Sequence, residues 1–410
     1  MESNSVMNNV LILGAGPLQL PAIKTAKELD FTVYCCDYDP SAIGFKYADS
    51  FKTISTMDEE AVLNYATEIN ADYVITSASD GPVRTAALVS EQLGLPVSIA
   101  YDDSKAATYK DLMRERLDSF NIPMPKYSIC NSFDEFSAAL KAFSYYCIVK
   151  PADSAASRGV KLVNSTERLN EETLFNETLA YSNKKTVMVE ERVIGPEISV
   201  EAITINKKTE IITLTDKIKT EPPYFVEIGH SEPSKLPDAI QEQIKSLTKR
   251  VIKAVGIING PSHTEIILTK DGPKVIETAA RLGGDFITAK LVPLSTGVDL
   301  AEESIKLALG SSSSFEKTKK AESAIFFLTT TTPGYITSIE IDENIKEAEG
   351  LVEYSIYKSV GDYIDTPHSS NDRIGHIICS TKIEGDALRL AQKAASYVHY
   401  NIKADSDNEK

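Results

Sequence analysis

The sequence predicts an α/β protein, α+β overall, in which a doubly wound parallel sheet leads and a β-rich mixed region follows. Two patterns predict it: strands alternate with amphipathic helices through roughly the first hundred residues, and hairpins with clear turn signals come after them. The chain has 410 residues, 42% hydrophobic and 25% charged, enough for a substantial core and for about two to four domains.

The first strand is Val10 to Leu13, followed by the turn Gly14-Ala15-Gly16-Pro17 and a helix with Leu18, Ala22, Ala26 and Leu29 at helical spacing. Phe31 to Cys36, ending at Asp37, is the second strand. Tyr73 to Thr76 and a helix from Val83 to Leu93 repeat the unit. One helix is expected from Asp103 to about Asn121, where Ile122-Pro123-Met124-Pro125 stops it. Ser144 to Lys150 and Thr186 to Glu191 read as strands flanking a loop and a polar helical stretch near Thr166 to Ala180. Ile198 to Ile205 and Glu210 to Thr215 read as a hairpin turning at Asn206-Lys207-Lys208. Gln241 to Val255 is an amphipathic helix, and Ser262 to Thr269 with Lys274 to Ile276 form a hairpin around Asp271-Gly272. Several strands and a helix from Gly385 to Tyr397 complete the chain, with a disordered tail expected from Ala404 to Lys410.

The charge balance, 43 Lys and Arg against 59 Asp and Glu, gives −16, which repels a nucleic-acid backbone or an anionic membrane. No apolar run is long enough to span a bilayer, and the segment from Met1 to Asn9 lacks signal-peptide character, so a cytoplasmic location is expected. Five cysteines without CxxC spacing suggest neither a disulfide framework nor a zinc site.

Gly14-Ala15-Gly16 is a weak dinucleotide signal, because the third glycine of GxGxxG falls on Gln19. Lys150 ends an apolar strand ahead of small and hydroxyl residues through Gly159, a loop suited to wrapping phosphates, although a surface hairpin reads the same way. Val189-Glu190-Glu191-Arg192-Val193, followed by Glu197, is an apolar strand running into a polar segment able to read a base edge and ribose hydroxyls, although taken alone an acid-rich strand end of this kind reads first as simply solvated. The sharpest signal is the hairpin around Asp271, which sets Glu265 and Glu277 within about one residue of directly opposite. Two facing carboxylates suit a hard divalent ion such as Mg²⁺. Arg281, just before Leu282-Gly283-Gly284-Asp285, fits stabilisation of a phosphoryl group or an oxyanion, with a salt bridge to Glu277 as the competing account. His230 lies in a Gly- and Pro-bounded loop where a substrate role and a packing or hydrogen-bonding one stand level, whereas His263 reads as a packing or hydrogen-bonding residue.

Taken in order, these segments resemble the ATP-grasp superfamily of carboxylate-amine ligases over essentially the whole chain. The resemblance implies a Rossmann-like domain at residues 1–100, a two-lobed ATP-grasp domain at 101–315 with a mobile lid lobe at about 125–192, and a small C-terminal α+β domain at 316–410. It implies that Lys110, in Tyr109-Lys110-Asp111-Leu112-Met113-Arg114, and Lys150 bind ATP phosphates under a mobile loop containing Ser154, Ser157, Arg158 and Gly159. Glu190, Arg192 and Val193 would form the adenine hinge, Glu197 would contact ribose, and Glu265 and Glu277 would hold Mg²⁺, with Mn²⁺ as a substitute. Arg281 would steady an acyl phosphate, His230 would orient the amine, and Gly283, Gly284 and Asp285 would meet substrate. Glu277-Thr278-Ala279-Ala280-Arg281 and Phe225-Val226-Glu227 before His230 are similar to bacterial L-amino acid ligases; Ala279 stands where biotin carboxylases carry asparagine. The implied partners are ATP and small carboxylate and amine substrates, without nucleic acid or membrane, and a homodimer is one expectation for the assembly. The alternatives are a biotin-carboxylase-like or purine-pathway enzyme, a non-catalytic ATP sensor and, least favoured because of Gln19, an NAD dehydrogenase.

Overall fold

The computed structural model describes residues 8–154, 158–165, 169–222 and 224–404. Strands β1 (Asn9–Leu13), β2 (Thr32–Asp37), β3 (Ser50–Thr53) and β4 (Tyr73–Thr76) form a parallel sheet in the order β3-β2-β1-β4. The alternation of strand β1 divides it between two cores. Val10 and Ile12 pack with Ala22, Ile23 and Ala26 of α1 (Leu20–Glu28), while Leu11 and Leu13 pack with Val62 and Ala66 of α2 (Glu59–Glu68) and Val89 of α3 (Gly81–Leu93). Strand β3 and helix α2 occupy a stretch to which the sequence reading assigned no element. At the glycine turn, Gly14 has φ +97°, and Gln19 fills the concavity, its Nε2 donating to the Ser77 carbonyl at 2.9 Å. Asp37 is likewise occupied, accepting from the Ala15 N–H at 2.8 Å.

The single helix expected from Asp103 to Asn121 is two helices, α4 (Tyr101–Ala106) and α5 (Lys110–Ser119). Thr108 turns its hydroxyl onto the Ser104 carbonyl, Tyr109 is extended, and the Lys110 N–H donates to Ala152 instead of to a preceding helical turn. The break puts Lys110 at the start of α5, against the loop that follows Lys150.

The next lobe is an antiparallel sheet of β5 (Tyr127–Cys130), β6 (Cys147–Pro151), β7 (Lys161–Val163) and β8 (Val187–Glu191), ordered β5-β8-β6-β7. Helices α6 (Phe133–Ala142) and α7 (Glu171–Ala180) cover it through Phe136, Leu140, Leu174 and Phe175.

The largest sheet contains β9 (Glu197–Ile205), β10 (Lys208–Lys219), β11 (Glu227–Glu232), β12 (Gly260–Thr269) and β13 (Gly272–Ala279), with α8 (Asp238–Val255) packed on it through Ile244, Leu247, Val251 and Val255. It does not stop there. After α9 (Val292–Thr296) and α10 (Leu300–Ala308), the strands β14 (Ala321–Leu328), β16 (Leu351–Ile356) and β18 (Gly375–Lys382) extend it to eight strands in the order β13-β12-β9-β10-β11-β14-β18-β16. Pairing of β11 with β14 sets Gly229 opposite Phe326 and His230 opposite Ile325, so hydrogen bonding runs through the division expected near residue 316. A separate three-stranded sheet, β17-β15-β19, is made by β15 (Gly334–Ile341), β17 (Tyr363–Ile364) and β19 (Val398–Ala404), and α11 (Ala387–Ala395) fills the core beside it. Ala404 is therefore part of a strand, and the rest of the expected tail lies outside the described residues. Ile305 of α10 and Leu309 just after it complete the core of the first sheet. All five cysteines are buried free thiols, and no helix among the described residues is long and apolar enough to cross a membrane.

Candidate active site

A cavity of about 430 Å³ lies between the β5-β8-β6-β7 sheet, the start of α5, the β12–β13 hairpin and the β10–β11 pair. One group of buried charges comes from α5, β6 and β8. Lys150, at the end of β6, sits 2.7 Å from Glu190, and Arg114 donates to both oxygens of the same carboxylate at 2.8 and 3.3 Å. These side chains are 6%, 4% and 1% exposed, so a charged triad is buried outright. Burial alone would raise the Glu190 pKa, but Arg114 and then Lys150 bring it down to about 2. Lys150 is depressed, first by burial and then by its neighbours Arg114 and Lys110, with Glu190 only partly compensating. One carboxylate is thus shared by two cations, and an additional anion beside Lys150 would be stabilised. Lys110 donates to Glu277 at 2.8 Å and to the Ser154 carbonyl at 3.0 Å.

This geometry corrects the role expected of Glu190. Its backbone is paired within the sheet to Tyr127 and Ile148, and its carboxylate is committed to Lys150 and Arg114. Glu190 therefore holds Lys150 and Arg114 in place, and the chain leaves the strand through Arg192 and Val193. Both residues line the cavity, and Arg192 lies over the Tyr146 ring, 5.0 Å from its centroid.

The hairpin places Glu265 directly opposite Glu277, with a register shift immediately after Glu265. Lys217 of β10, its side chain 2% exposed, comes within 3.0 Å of Glu197, 2.9 Å of Glu227 and 2.5 Å of Glu265. Oxygen atoms of these three carboxylates all lie within 4.8 Å of one another. Although burial disfavours its charge, the surrounding glutamates hold the Lys217 pKa well above the ordinary lysine range. Glu197, expected to meet ribose, is also tied to Lys219 at 2.6 Å. His263 joins Glu201 at 2.6 Å and approaches Glu265 at 3.4 Å; Glu201 overcomes the effect of burial and lifts the imidazole to about 9. This charged hydrogen-bonding role agrees with reading His263 as a structural residue. The oxygen donors brought together are those of Glu197, Glu227 and Glu265, with the Lys217 ammonium among them, a set of hard ligands that would suit a divalent cation; Glu277, expected to share that ion with Glu265, pairs with Lys110.

Arg281 does not pair with Glu277. Its Nε and Nη2 donate to the two carboxylate oxygens of Asp80 at 2.6 and 3.2 Å, and Nη1 donates to the Leu282 carbonyl at 2.8 Å. Asp80, from the loop between β4 and α3, brings the leading sheet into the site and is kept ionised by Arg281 despite burial. His230 is 1% exposed, lines the cavity and has neither ring nitrogen hydrogen-bonded; Nε2 is 3.5 Å from Asp285. Asp285 is itself gripped by Arg373 at 2.9 and 2.7 Å. Gly283 corrects another expectation: a Cβ there would stand 2.7 Å from His263 and 2.8 Å from Glu201, so its smallness serves packing. Gly284 and Asp285 do line the cavity. Ser154 reaches it, Arg158 and Gly159 are not among its lining residues, and Ser157 lies outside the described residues.

The sequence reading missed Asp80, Arg114, Lys217 and Arg373. Arg114 alone carried a local signal, being a positive residue one helical turn after Lys110 on the same face.

Residues 143–289 match the ATP-grasp domain family, and residues 326–403 match the L-amino acid ligase C-terminal domain 2 family. The fold and cavity thus define an ATP-grasp protein. The two matched regions are an ATP-grasp domain and a C-terminal domain of the kind described for L-amino acid ligases, and the relatives of the chain include carboxylate-amine ligases. Phosphoribosylamine–glycine ligase of Methanobrevibacter smithii is 25% identical over 430 aligned positions, covering 97% of this chain and 95% of the relative. Alanine–anticapsin ligase of Bacillus subtilis is 27% identical over 287 positions, covering 64% of this chain and 59% of that protein. The crystal structure of an L-amino acid ligase from Bacillus licheniformis superimposes with a TM-score of 0.80 at 21% identity, covering 97% of this chain and 99% of the other.

Proposed function

We propose that the protein is an ATP-dependent ligase that activates an amino-acid carboxylate as an acyl phosphate and joins it to an amine, releasing ADP and phosphate. The observation that carries the reading is a single cavity collecting Lys110 and Lys150, the facing Glu265 and Glu277, the anchored Arg281 and the unpartnered His230. The L-amino acid ligase C-terminal match over residues 326–403 supports an amino acid as the activated substrate.

In this reading, Lys110 and Lys150 bind the ATP phosphates, and backbone groups around Arg192 and Val193 take the adenine edge. Glu265 and Glu277, with Glu227, would hold magnesium or manganese, which would supply positive charge beside the phosphates. A carboxylate oxygen of the substrate attacks the γ-phosphorus and ADP leaves. The second substrate's amine nitrogen then attacks the acyl carbon, phosphate leaves, and the excess amine proton passes to His230. Arg281, fixed by Asp80, faces the acyl phosphate and the developing oxyanion.

The test is ADP release over amino acids, singly and in pairs, with mass spectrometry of the product. The expected result is release that requires amino acids and a product mass equal to the pair less water. Release driven by bicarbonate alone would favour carboxylation, and ATP binding without turnover would favour a sensor; either result overturns the proposal.

A further inference from the structure

Arg373 lies in the segment between β17 and β18, remote in sequence from every residue discussed for catalysis, yet its side chain is 4% exposed against the cavity wall. Nη1 and Nη2 donate to the two oxygens of Asp285, while Nε and Nη2 donate to the Glu227 carbonyl at 3.2 and 2.9 Å. The guanidinium lies over Phe327, 3.7 Å from the ring centroid, and the same ring meets His230 edge-on at 6.1 Å. One rigid fork therefore ties together the backbone of Glu227, the carboxylate beside His230 and the ring against which His230 packs. The local backbone supplies a separate indication of constraint. Asp285 and Phe286 have φ +50° and +65°, conformations that cost a non-glycine residue energy and are retained where surrounding contacts enforce them.

We propose that Arg373 is a positioning residue for the amine-handling end of the site, acting through Asp285 to set which nitrogen of His230 carries the proton. An anionic oxygen 3.5 Å from Nε2 favours the tautomer protonated there, and a small approach completes that hydrogen bond. Nδ1 is then the acceptor nitrogen. Without the Arg373 fork, Asp285 loses its bidentate anchor and the tautomer is no longer fixed. The kinetic part of this inference rests on the ligase reading; the tautomer part does not.

The experiment uses full-length protein labelled with ¹⁵N-histidine, as wild type, Arg373→Ala, Arg373→Lys and Asp285→Asn. His230→Gln assigns the relevant signal among the five histidines. Wild type should show the Nε2-protonated form, and both Arg373→Ala and Asp285→Asn should shift the tautomer balance at His230. Arg373→Lys should restore it in part, because it returns the charge without the fork. In the kinetic arm, Arg373→Ala should lower turnover with the amine substrate by about 100-fold while the KM for ATP stays within about twofold. An unchanged His230 tautomer in folded Arg373→Ala overturns the proposal; if that variant does not fold, an unchanged tautomer in Asp285→Asn does so. A parallel loss of ATP binding and turnover in Arg373→Ala overturns it as well. If wild type ligates nothing, the ligase reading fails, and the tautomer measurement alone decides the role of Arg373.

Discussion

Substitution of Glu190 by Gln removes one charge from the buried triad while preserving its shape. Arg114 and Lys150 then remain almost fully buried with no carboxylate between them. The depression of Glu190 from 4.5 to about 2 corresponds to about 3 kcal/mol, within the range for breaking a buried ion pair by removing one partner. The stabilisation is complete above the unfolded-state value near 4.5 and is lost as pH falls through about 2. The gap between variant and wild type should therefore be full at neutral pH and close toward the acid end. The chain has no tryptophan, so urea unfolding is best followed by circular dichroism or tyrosine fluorescence. A functional effect accompanies the structural one: without its carboxylate, Lys150 is driven further below the ordinary lysine range, and the KM for ATP should rise, more steeply at alkaline pH. A Glu190→Gln protein within about 1 kcal/mol of wild type at neutral pH, with unchanged ATP affinity, would refute the reasoning.

Asp80→Asn should loosen Arg281 and lower turnover by roughly 10-fold or more with little change in the KM for ATP; equal steady-state parameters for ADP release would remove Asp80 from the site. Glu277→Ala deprives Lys110 of its carboxylate and the proposed metal set of one ligand, so magnesium-dependent turnover should vanish; an unaltered rate-versus-magnesium curve would exclude Glu277 from metal binding. Glu232, held by Thr215 and Ser295, is pushed up to about 8 by burial, so the folded protein retains a proton there that the unfolded chain releases near 4.5. Its contribution is greatest below 4.5 and declines as pH rises to about 8; Glu232→Gln should flatten stability across that interval in denaturant titrations, and an unchanged slope would contradict the assignment.

What the sequence revealed depended on distance along the chain. Glu265 and Glu277 were legible as a facing pair because Asp271-Gly272 fixes the turn and a short hairpin leaves little freedom of register. Lys150 was legible because an apolar strand ends at it. The helix break before Lys110 was not, since it depends on a hydrogen bond to Ala152 formed only when the lobes meet. Asp80 and Arg281 are 201 residues apart, and Asp285 and Arg373 are 88 apart; no local pattern encodes either pair. The glycines at 283 and 284 look equivalent in sequence, but only Gly283 faces the crowded His263–Glu201 contact.

The continuation of the central sheet into β14, β18 and β16 has a consequence for the order in which the site matures. Strand β11 carries Glu227 and His230, and one of its edges is satisfied only by β14, which begins at Ala321. Arg373, which grips Asp285, arrives later still, just ahead of β18. The side that carries Lys110, Arg114, Lys150 and Glu190 draws its charged groups from residues before 280, whereas the His230 side waits for the sequence beyond 370. During synthesis, the wall around His230 is therefore the last part of the cavity to acquire its native partners, and a chain cut before β14 would expose the edge of β11 as an unpaired template for aggregation.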